Sequence, residues 1–142
     1  TSLTLTSTSI ALGLDSGAGA FGISIGNAAG NTGQASQGIA IGRQAGRTNQ
    51  ETGAVAVGYS AGYTGQGQTA VAIGYAAGQF SQGNQAVAIG SLAGGANPGQ
   101  FANAIAIGAG SGNTQGPNGI AIGYLAHGEF GNTNANSIAI NL

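Results

Sequence analysis

A short apolar motif, here called the kernel, recurs along the whole chain. Its clearest copy is Val71-Ala72-Ile73-Gly74, in which two β-branched residues flank an alanine and a glycine follows. The glycines that close successive copies are 13, 16, 16, 16, 16, 18 and 15 residues apart, and a last copy ends in Asn141. A repeat of this length is too short for a domain but long enough for one coil of a solenoid. The copies are Ile10–Gly13, Ile23–Gly26, Ile39–Gly42, Val55–Gly58, Val71–Gly74, Val87–Gly90, Ile105–Gly108, Ile120–Gly123 and Ile138–Asn141.

Each kernel predicts a short β-strand. The two β-branched residues lie two places apart and therefore point to one side of a strand, while the residue between them points to the other side. We expect the Val and Ile columns to fill the interior and the alanines to face outward. A helical alternative is set aside because glycine interrupts every candidate segment, at a cost of about 1 kcal/mol relative to alanine.

The residues between kernels also form columns. Alanine recurs three places after the kernel glycine and glycine four places after it, as at Ala77 and Gly78. Two interpretations fit a glutamine column eight places after the glycine: a ladder of amides that joins neighbouring coils, or solvated turn residues. This column contains Gln34, Gln50, Gln66 and Gln82.

Kernels and columns together predict an all-β chain. The expected architecture is a parallel β-solenoid, or β-roll, of about eight to nine coils with a repeat near 16 residues and no helices of note. Coils stacked about 4.8 Å apart would form a rod about 40 Å long. We expect one domain over residues 1–142, with an irregular N-terminal strand or cap at 1–22 and regular coils at 23–142.

The kernel resembles the head repeat of YadA-type trimeric autotransporter adhesins, whose motif is commonly written Asn-Ser-Val-Ala-Ile-Gly. Its nearest copies here are Asn136–Ile140, Asn118–Gly123 and Asn103–Gly108, and the resemblance covers about 130 residues. It implies a left-handed parallel β-roll that associates side by side in threes. Similar repeats are also expected in extracellular or virion fibres.

Composition narrows the classes of function. Charged residues make up 4% of the chain, lysine is absent and the formal net charge is -1, so nothing attracts nucleic acid or an acidic membrane surface. No apolar run approaches the roughly 18 residues of a membrane helix. With 30 glycines and 42% hydrophobic residues at regular places, we expect order rather than disorder.

The sequence offers little catalytic or cofactor chemistry. Its acids, Asp15, Glu51 and Glu129, belong to distant coils, His127 is its one histidine, and the chain has no cysteine. Zinc is excluded by ligand count, and calcium-binding β-rolls need an Asp in every repeat. Residues 17–22 match Gly-x-Gly-x-x-Gly, but a dinucleotide site needs a helix to begin there. We therefore expect no enzyme activity, no cofactor and no metal.

Two surfaces are candidates for binding. The alanines between the branched residues predict an apolar stripe for self-association: Ala40, Ala56, Ala72, Ala88, Ala106 and Ala121. Arginine and tyrosine recur at two positions in neighbouring coils and predict outward stacks, either a docking patch or ordinary surface decoration: Arg43, Arg47, Tyr59, Tyr63 and Tyr75.

These features favour a structural, non-catalytic subunit of a self-associating extracellular fibre or an adhesive head on a cell or virion surface. Its expected partners are copies of itself, laterally or end to end, and a host surface or matrix component, without nucleic acid or membrane insertion. Ice binding is the alternative, and it requires a flat array of outward threonines. The threonine column six places after the glycine is interrupted at Phe80.

Overall fold

Every kernel forms a three-residue strand in the computed structural model, which describes residues 8–96, 99–113, 115–126 and 134–141. Within these residues, the nine kernel strands form one sheet, and every pair in it is parallel. The predicted parallel β-solenoid is confirmed. In chain order the kernel strands are β1 Ile10–Leu12, β2 Ile23–Ile25, β3 Ile39–Ile41, β5 Val55–Val57, β7 Val71–Ile73, β8 Val87–Ile89, β9 Ile105–Ile107, β10 Ile120–Ile122 and β11 Ile138–Ile140.

Successive coils lie in register. Val71 pairs with Val87, and the residues that follow pair in the same order, so each kernel residue lies beside its own counterpart. The alignment also holds across a longer connection, where β8 pairs with β9. The return segments contribute a second parallel sheet, formed by β4 Thr48–Gln50 and β6 Thr64–Gln66.

The kernel glycine turns the chain in a conformation that other residues rarely adopt. Gly74 has a φ of 129°, and a Cβ atom placed on it would lie 2.6 Å from the carbonyl oxygen of Gly90 in the next coil. Neither the backbone angle nor the space admits a side chain. Both the turn and the close stacking of coils therefore require glycine at the end of the kernel.

The predicted orientation of the kernel is wrong. The alanines between the branched residues are fully buried, with 0% exposure at Ala40, Ala56, Ala72, Ala88, Ala106 and Ala121. The branched residues instead face outward, and Ile73 and Ile89 retain 39% and 37% of their exposure. The proposed self-association stripe of alanines is therefore part of the core and not a surface.

The narrow interior explains this orientation. The kernel alanines pack against the alanines three places after the kernel glycine, and both sets form one buried cluster. A Cβ atom placed on Gly78 would already lie 3.3 Å from the Cβ of Ala72. Only small side chains fit between the two sides of a coil, because dense packing leaves no room for a branched one.

The glutamine column fills the rest of the interior, and the ladder interpretation is confirmed. Gln50 is fully buried, and its Nε2 donates to Ile39 O (2.8 Å), across the coil, and to Ala54 O (3.1 Å). Amides also join neighbouring coils: Gln34 Nε2 donates to Gln50 Oε1 (2.9 Å), and Gln66 Oε1 (3.1 Å) is a third acceptor that shares the two N–H groups of Gln50 Nε2. The Gln50 amide thus adds hydrogen bonds to carbonyl groups inside the coil, one of which, Ala54 O, also accepts from the Ile39 amide (2.9 Å).

The ladder extends beyond the predicted column and has one weak step. Gln82 Nε2 donates to Gln100 Oε1 (3.3 Å), and Gln100 Nε2 donates to Gln115 Oε1 (3.4 Å). Gln82 Oε1 is buried without a hydrogen-bond partner, so the ladder is interrupted between Gln66 and Gln82. All six glutamines lie five places before the next kernel. Counting from the preceding glycine hides this constant spacing, because the connections between kernels differ in length.

A serine terminates the ladder near the N-terminal coils. Ala18 stands where a glutamine would precede Gln34. Ser24 is the one serine at the central kernel position, and its hydroxyl lies within hydrogen-bond distance of two acceptors, Gly17 O (2.6 Å) and Gln34 Oε1 (2.9 Å), which share its one proton. The Gly19 amide also donates to Gln34 Oε1 (3.1 Å). These two donors replace the missing amide.

The N-terminal segment joins the regular sheet. β1 pairs with β2 in the same register as the later kernels, so the part of the predicted cap at 10–12 is an ordinary rung. Residues 1–7 of that cap, Pro98 and His127 lie outside the described residues.

Candidate self-association surface

The outer face of the nine-stranded sheet is an exposed apolar surface, here called the Ile/Val face. It consists of two parallel columns of branched side chains, one from each end of the kernel strands. The first column contains Ile10, Ile23, Ile39, Val55, Val71, Val87, Ile105, Ile120 and Ile138, and the second contains Leu12, Ile25, Ile41, Val57, Ile73, Ile89, Ile107, Ile122 and Ile140.

This face is apolar without interruption over the length of the sheet. Many of its second-column isoleucines, such as Ile41 at 37% and Ile73 at 39%, keep more than a third of their surface exposed. A solvated sheet face normally alternates with polar residues, and contiguous apolar patches of this kind mark interaction surfaces. The structure therefore has an exposed apolar face, but it is formed by the branched residues and not by the alanines predicted from sequence.

The predicted arginine and tyrosine stacks form as expected. The rings of Tyr59 and Tyr75 stack with centroids 5.3 Å apart and an interplanar angle of 7°. The Arg43 guanidinium lies 5.6 Å from the centroid of Tyr59. On the other candidate column, Arg47 lies 5.3 Å from the centroid of Tyr63 and also donates to its hydroxyl.

The first of these stacks borders the Ile/Val face. Tyr59 and Tyr75 directly follow the kernel glycines, so they lie where the chain turns away from the second column. Most of the other exposed large apolar side chains outside the kernels also lie one or two places after a kernel glycine. We call this set the Tyr corner, and it contains Leu14, Tyr59, Tyr75, Leu92, Tyr124 and Leu125.

The opposite flank of the Ile/Val face is mostly polar. Two places before each kernel, the chain carries mainly Gln, Thr and Asn, with Phe21 as an apolar exception. Near the C-terminal coils these side chains bond to one another: Asn103 Nδ2 donates to Asn118 Oδ1 (3.1 Å), and Asn118 Nδ2 donates to Asn136 Oδ1 (3.0 Å). The apolar surface is therefore more extensive around the edge with the Tyr corner than around the opposite edge, where Phe21 and Phe101 are the exposed aromatic residues.

The described residues offer no arrangement for metal binding or acid–base chemistry. Among them, no three His, Cys, Asp or Glu side chains come together as a metal site would require. Asp15 and Glu51 are exposed and belong to different coils. In the part of the chain that the structure describes, no helix is long and apolar enough to cross a membrane.

One hollow of about 190 Å³ lies where the glutamine ladder ends. Its lining contains no titratable side chain, and it overlaps the glycine-rich residues 17–22. Strand β2 begins directly after this segment, at Ile23, where a dinucleotide site would require a helix. The Gly-x-Gly-x-x-Gly match is therefore part of the first coils. The hollow is lined by Gly17, Ala18, Gly30, Asn31, Gly33 and Gln34.

These features place the chain among parallel β-solenoid repeat proteins, with coils of about 16 residues built on an alanine and glutamine interior. No protein-family model, curated protein or solved structure matches the chain.

Proposed function

We propose that the protein is a structural, non-catalytic β-solenoid subunit that packs against copies of itself through the Ile/Val face. The observation that carries this proposal is the uninterrupted apolar face on a sheet whose interior is already filled by alanine and glutamine. The branched side chains lie outside the buried alanine cluster of their own coil, so we assign the surface that they leave exposed to contact with another molecule.

The energetic argument is one of exposed surface. Fully burying an isoleucine side chain is worth about 1.5–3 kcal/mol, so covering the exposed two-fifths of Ile73 contributes about 1 kcal/mol. The same gain recurs at each rung, and flat columns of branched side chains present matching surfaces to one another. A second copy of this chain carries a face of the same length, period and apolar character, so it is the partner that we propose for the Ile/Val face.

The resemblance of the kernel to YadA-type adhesin heads supports the same proposal, because those heads are side-by-side assemblies of β-rolls. An extracellular fibre, or an adhesive head on a cell or virion surface, is the setting that fits a rod with 4% charged residues. In that setting a host surface or matrix component is a further partner. The resemblance also implies left-handed coils and association in threes, and both are part of this proposal.

Sedimentation velocity tests the proposal. We expect the unmodified protein to sediment as an oligomer and the Ile73→Glu/Ile89→Glu variant to sediment as a folded monomer, because each change buries a charge in the contact. The control is Thr32→Glu/Gln68→Glu, which adds the same charge at two exposed positions outside the face. An unmodified protein that stays monomeric at high concentration, or a face variant that assembles like the control, contradicts the proposal.

Ice binding, the alternative from the sequence, is less well supported. The flat face carries isoleucine and valine, and the threonine column at Thr32, Thr48 and Thr64 continues at Phe80. A thermal hysteresis assay on the purified protein distinguishes the two functions. Substantial hysteresis that the Ile73→Glu/Ile89→Glu variant loses would favour ice binding over self-association.

A further inference from the structure

The Ile/Val face alone cannot determine how two copies are aligned along their length. Neighbouring rungs carry the same two kinds of side chain in register, as at Val71–Val87 and Ile73–Ile89. A slide of one coil, about 4.8 Å, therefore exchanges one branched residue for another at little cost. A periodic interface of this kind allows several registers unless something next to it breaks the period.

The Tyr corner breaks the period beside that face. The residues directly after the kernel glycine differ from coil to coil, and large aromatic rings occupy two adjacent coils at Tyr59 and Tyr75. In chain order this column reads Leu14, Asn27, Arg43, Tyr59, Tyr75, Ser91, Ala109 and Tyr124. A one-coil slide moves the two rings onto surroundings of different size and chemistry.

The aromatic pair is also preorganised and accessible. Tyr59 and Tyr75 lie nearly parallel at 5.3 Å, with Arg43 against the next ring face, and they retain 40% and 57% exposure. Tyr and Arg are enriched among the residues at which protein interfaces are most sensitive to substitution. Stacking fixes their positions before contact, so little side-chain freedom is lost on association.

The size of the face also argues that the contact extends over this corner. Nine strands spaced about 4.8 Å apart, each with three residues about 3.3 Å long, give a footprint of about 400 Å². A standard interface buries about 800 Å² on each partner. The Tyr corner is the apolar flank of the face, whereas the other flank is mostly polar and partly hydrogen-bonded within itself.

We propose that the stacked pair Tyr59–Tyr75 sets the axial register between copies of this chain that pack through the Ile/Val face. The inference rests on the proposed self-association and adds a specificity determinant to it. The Ile/Val columns supply most of the affinity, and the aromatic pair selects one alignment among those that the columns allow.

Disulfide scanning tests this assignment, because the chain has no cysteine of its own. Chains carrying Ile73→Cys are unfolded together with chains carrying one cysteine elsewhere in the second column, refolded as a mixture and oxidised. A disulfide requires Cβ atoms about 3.5–4.5 Å apart, so a one-coil slide abolishes a given pair. The partner positions are Ile41, Val57, Ile73, Ile89 and Ile107.

We expect Ile73→Cys to cross-link to one partner position in the unmodified background. In the Tyr59→Ser/Tyr75→Ser background, which copies the native Ser91 of the next coil, we expect two or more partner positions with the oligomer retained. Tyr63→Ser, on the other stack, is the control and keeps a single partner.

Three results would overturn the inference while leaving self-association intact. These are several partners in the unmodified background, a single unchanged partner in the double tyrosine variant, or a double variant that is monomeric. A single unchanged partner in the double tyrosine variant would leave the Tyr corner free to bind a different molecule, such as a matrix component. A monomeric double variant would mean that the Tyr corner, and not the Ile/Val face, supplies the affinity between copies. A monomeric unmodified protein refutes the proposed function and this inference together.

Discussion

Gln66→Glu is the most informative single change in the glutamine ladder. It replaces the amide Nε2 of a fully buried side chain with an oxygen of almost the same size. In the native protein, Gln66 Nε2 donates to Val55 O (2.7 Å) and to Ala70 O (3.2 Å), and Gln66 Oε1 accepts from Gln50 Nε2 (3.1 Å). The variant keeps the shape of the interior and removes its donors.

The expected loss of stability follows from these contacts. An ionised carboxylate removes the hydrogen bonds from Gln66 Nε2 to Val55 O and Ala70 O and places negative charge beside both oxygens, although the Val55 amide still donates to Ala70 O (2.9 Å). Two lost hydrogen bonds cost about 1–3 kcal/mol and an unpaired buried charge adds several kcal/mol, so we expect a total loss of several kcal/mol at pH 7. That is a large part of the 5–15 kcal/mol typical of a folded domain.

The loss depends on pH in a defined direction. Burial and the two facing carbonyl oxygens raise the pKa of the introduced carboxyl in the folded state. The folded variant therefore prefers the protonated form, which restores one O–H donor. Its stability relative to the native protein is greatest below the pKa of the carboxyl in the unfolded chain. It falls as the pH rises towards the folded pKa.

Thermal and urea denaturation, followed by circular dichroism at pH 4 and pH 7, measure both effects. The control is Gln68→Glu, two places further on and exposed to solvent, for which we expect little change at either pH. A Gln66→Glu variant that unfolds at the native midpoint at pH 7, or is more stable there than at pH 4, refutes the buried ladder.

The remaining predictions concern packing and turns. Ala72→Leu overfills the interior and should lower the unfolding free energy by at least about 1–3 kcal/mol in urea denaturation; native-like stability would show that the interior has room. Gly74→Ala should lower the melting temperature far more than Gly53→Ala, because its Cβ would lie 2.6 Å from a backbone oxygen, against 3.3 Å from a methyl group. Ser24→Ala removes the hydroxyl donor that Gln34 Oε1 and Gly17 O share and should cost about 1 kcal/mol in the same assay; an unchanged midpoint would refute its role in ending the ladder.

The repeat was sufficient to predict the nine kernel strands, their parallel pairing and their register, but not the second sheet of β4 and β6. Kernels such as Val71–Gly74 recur at nearly constant spacing, and a coil stacked on its copy explains every column at once. Stacking of Tyr59 on Tyr75 followed from the same reasoning, because residues at one position of adjacent coils become neighbours.

Alternation alone could not say which side of each strand is the interior. It shows that Val71 and Ile73 share a side that Ala72 does not, and the larger apolar residues are usually the buried ones. Here the opposite side of the coil lies too close for them. The sequence does indicate this orientation. The return segment places small residues, such as Ala77 and Gly78, opposite each kernel, and residues of this size show that the two sides of the coil lie close together.

Thiol labelling tests the central claim most directly: alanine is inside the coil, and the branched residues form a contact surface. In dilute solution we predict that Ile73→Cys reacts readily and Ala72→Cys is strongly protected. On concentration, Ile73→Cys becomes protected as copies associate, whereas Gln68→Cys, an exposed control, keeps its rate. Faster labelling at position 72 than at 73 would contradict the orientation, and a rate at 73 that is independent of concentration would contradict the self-association.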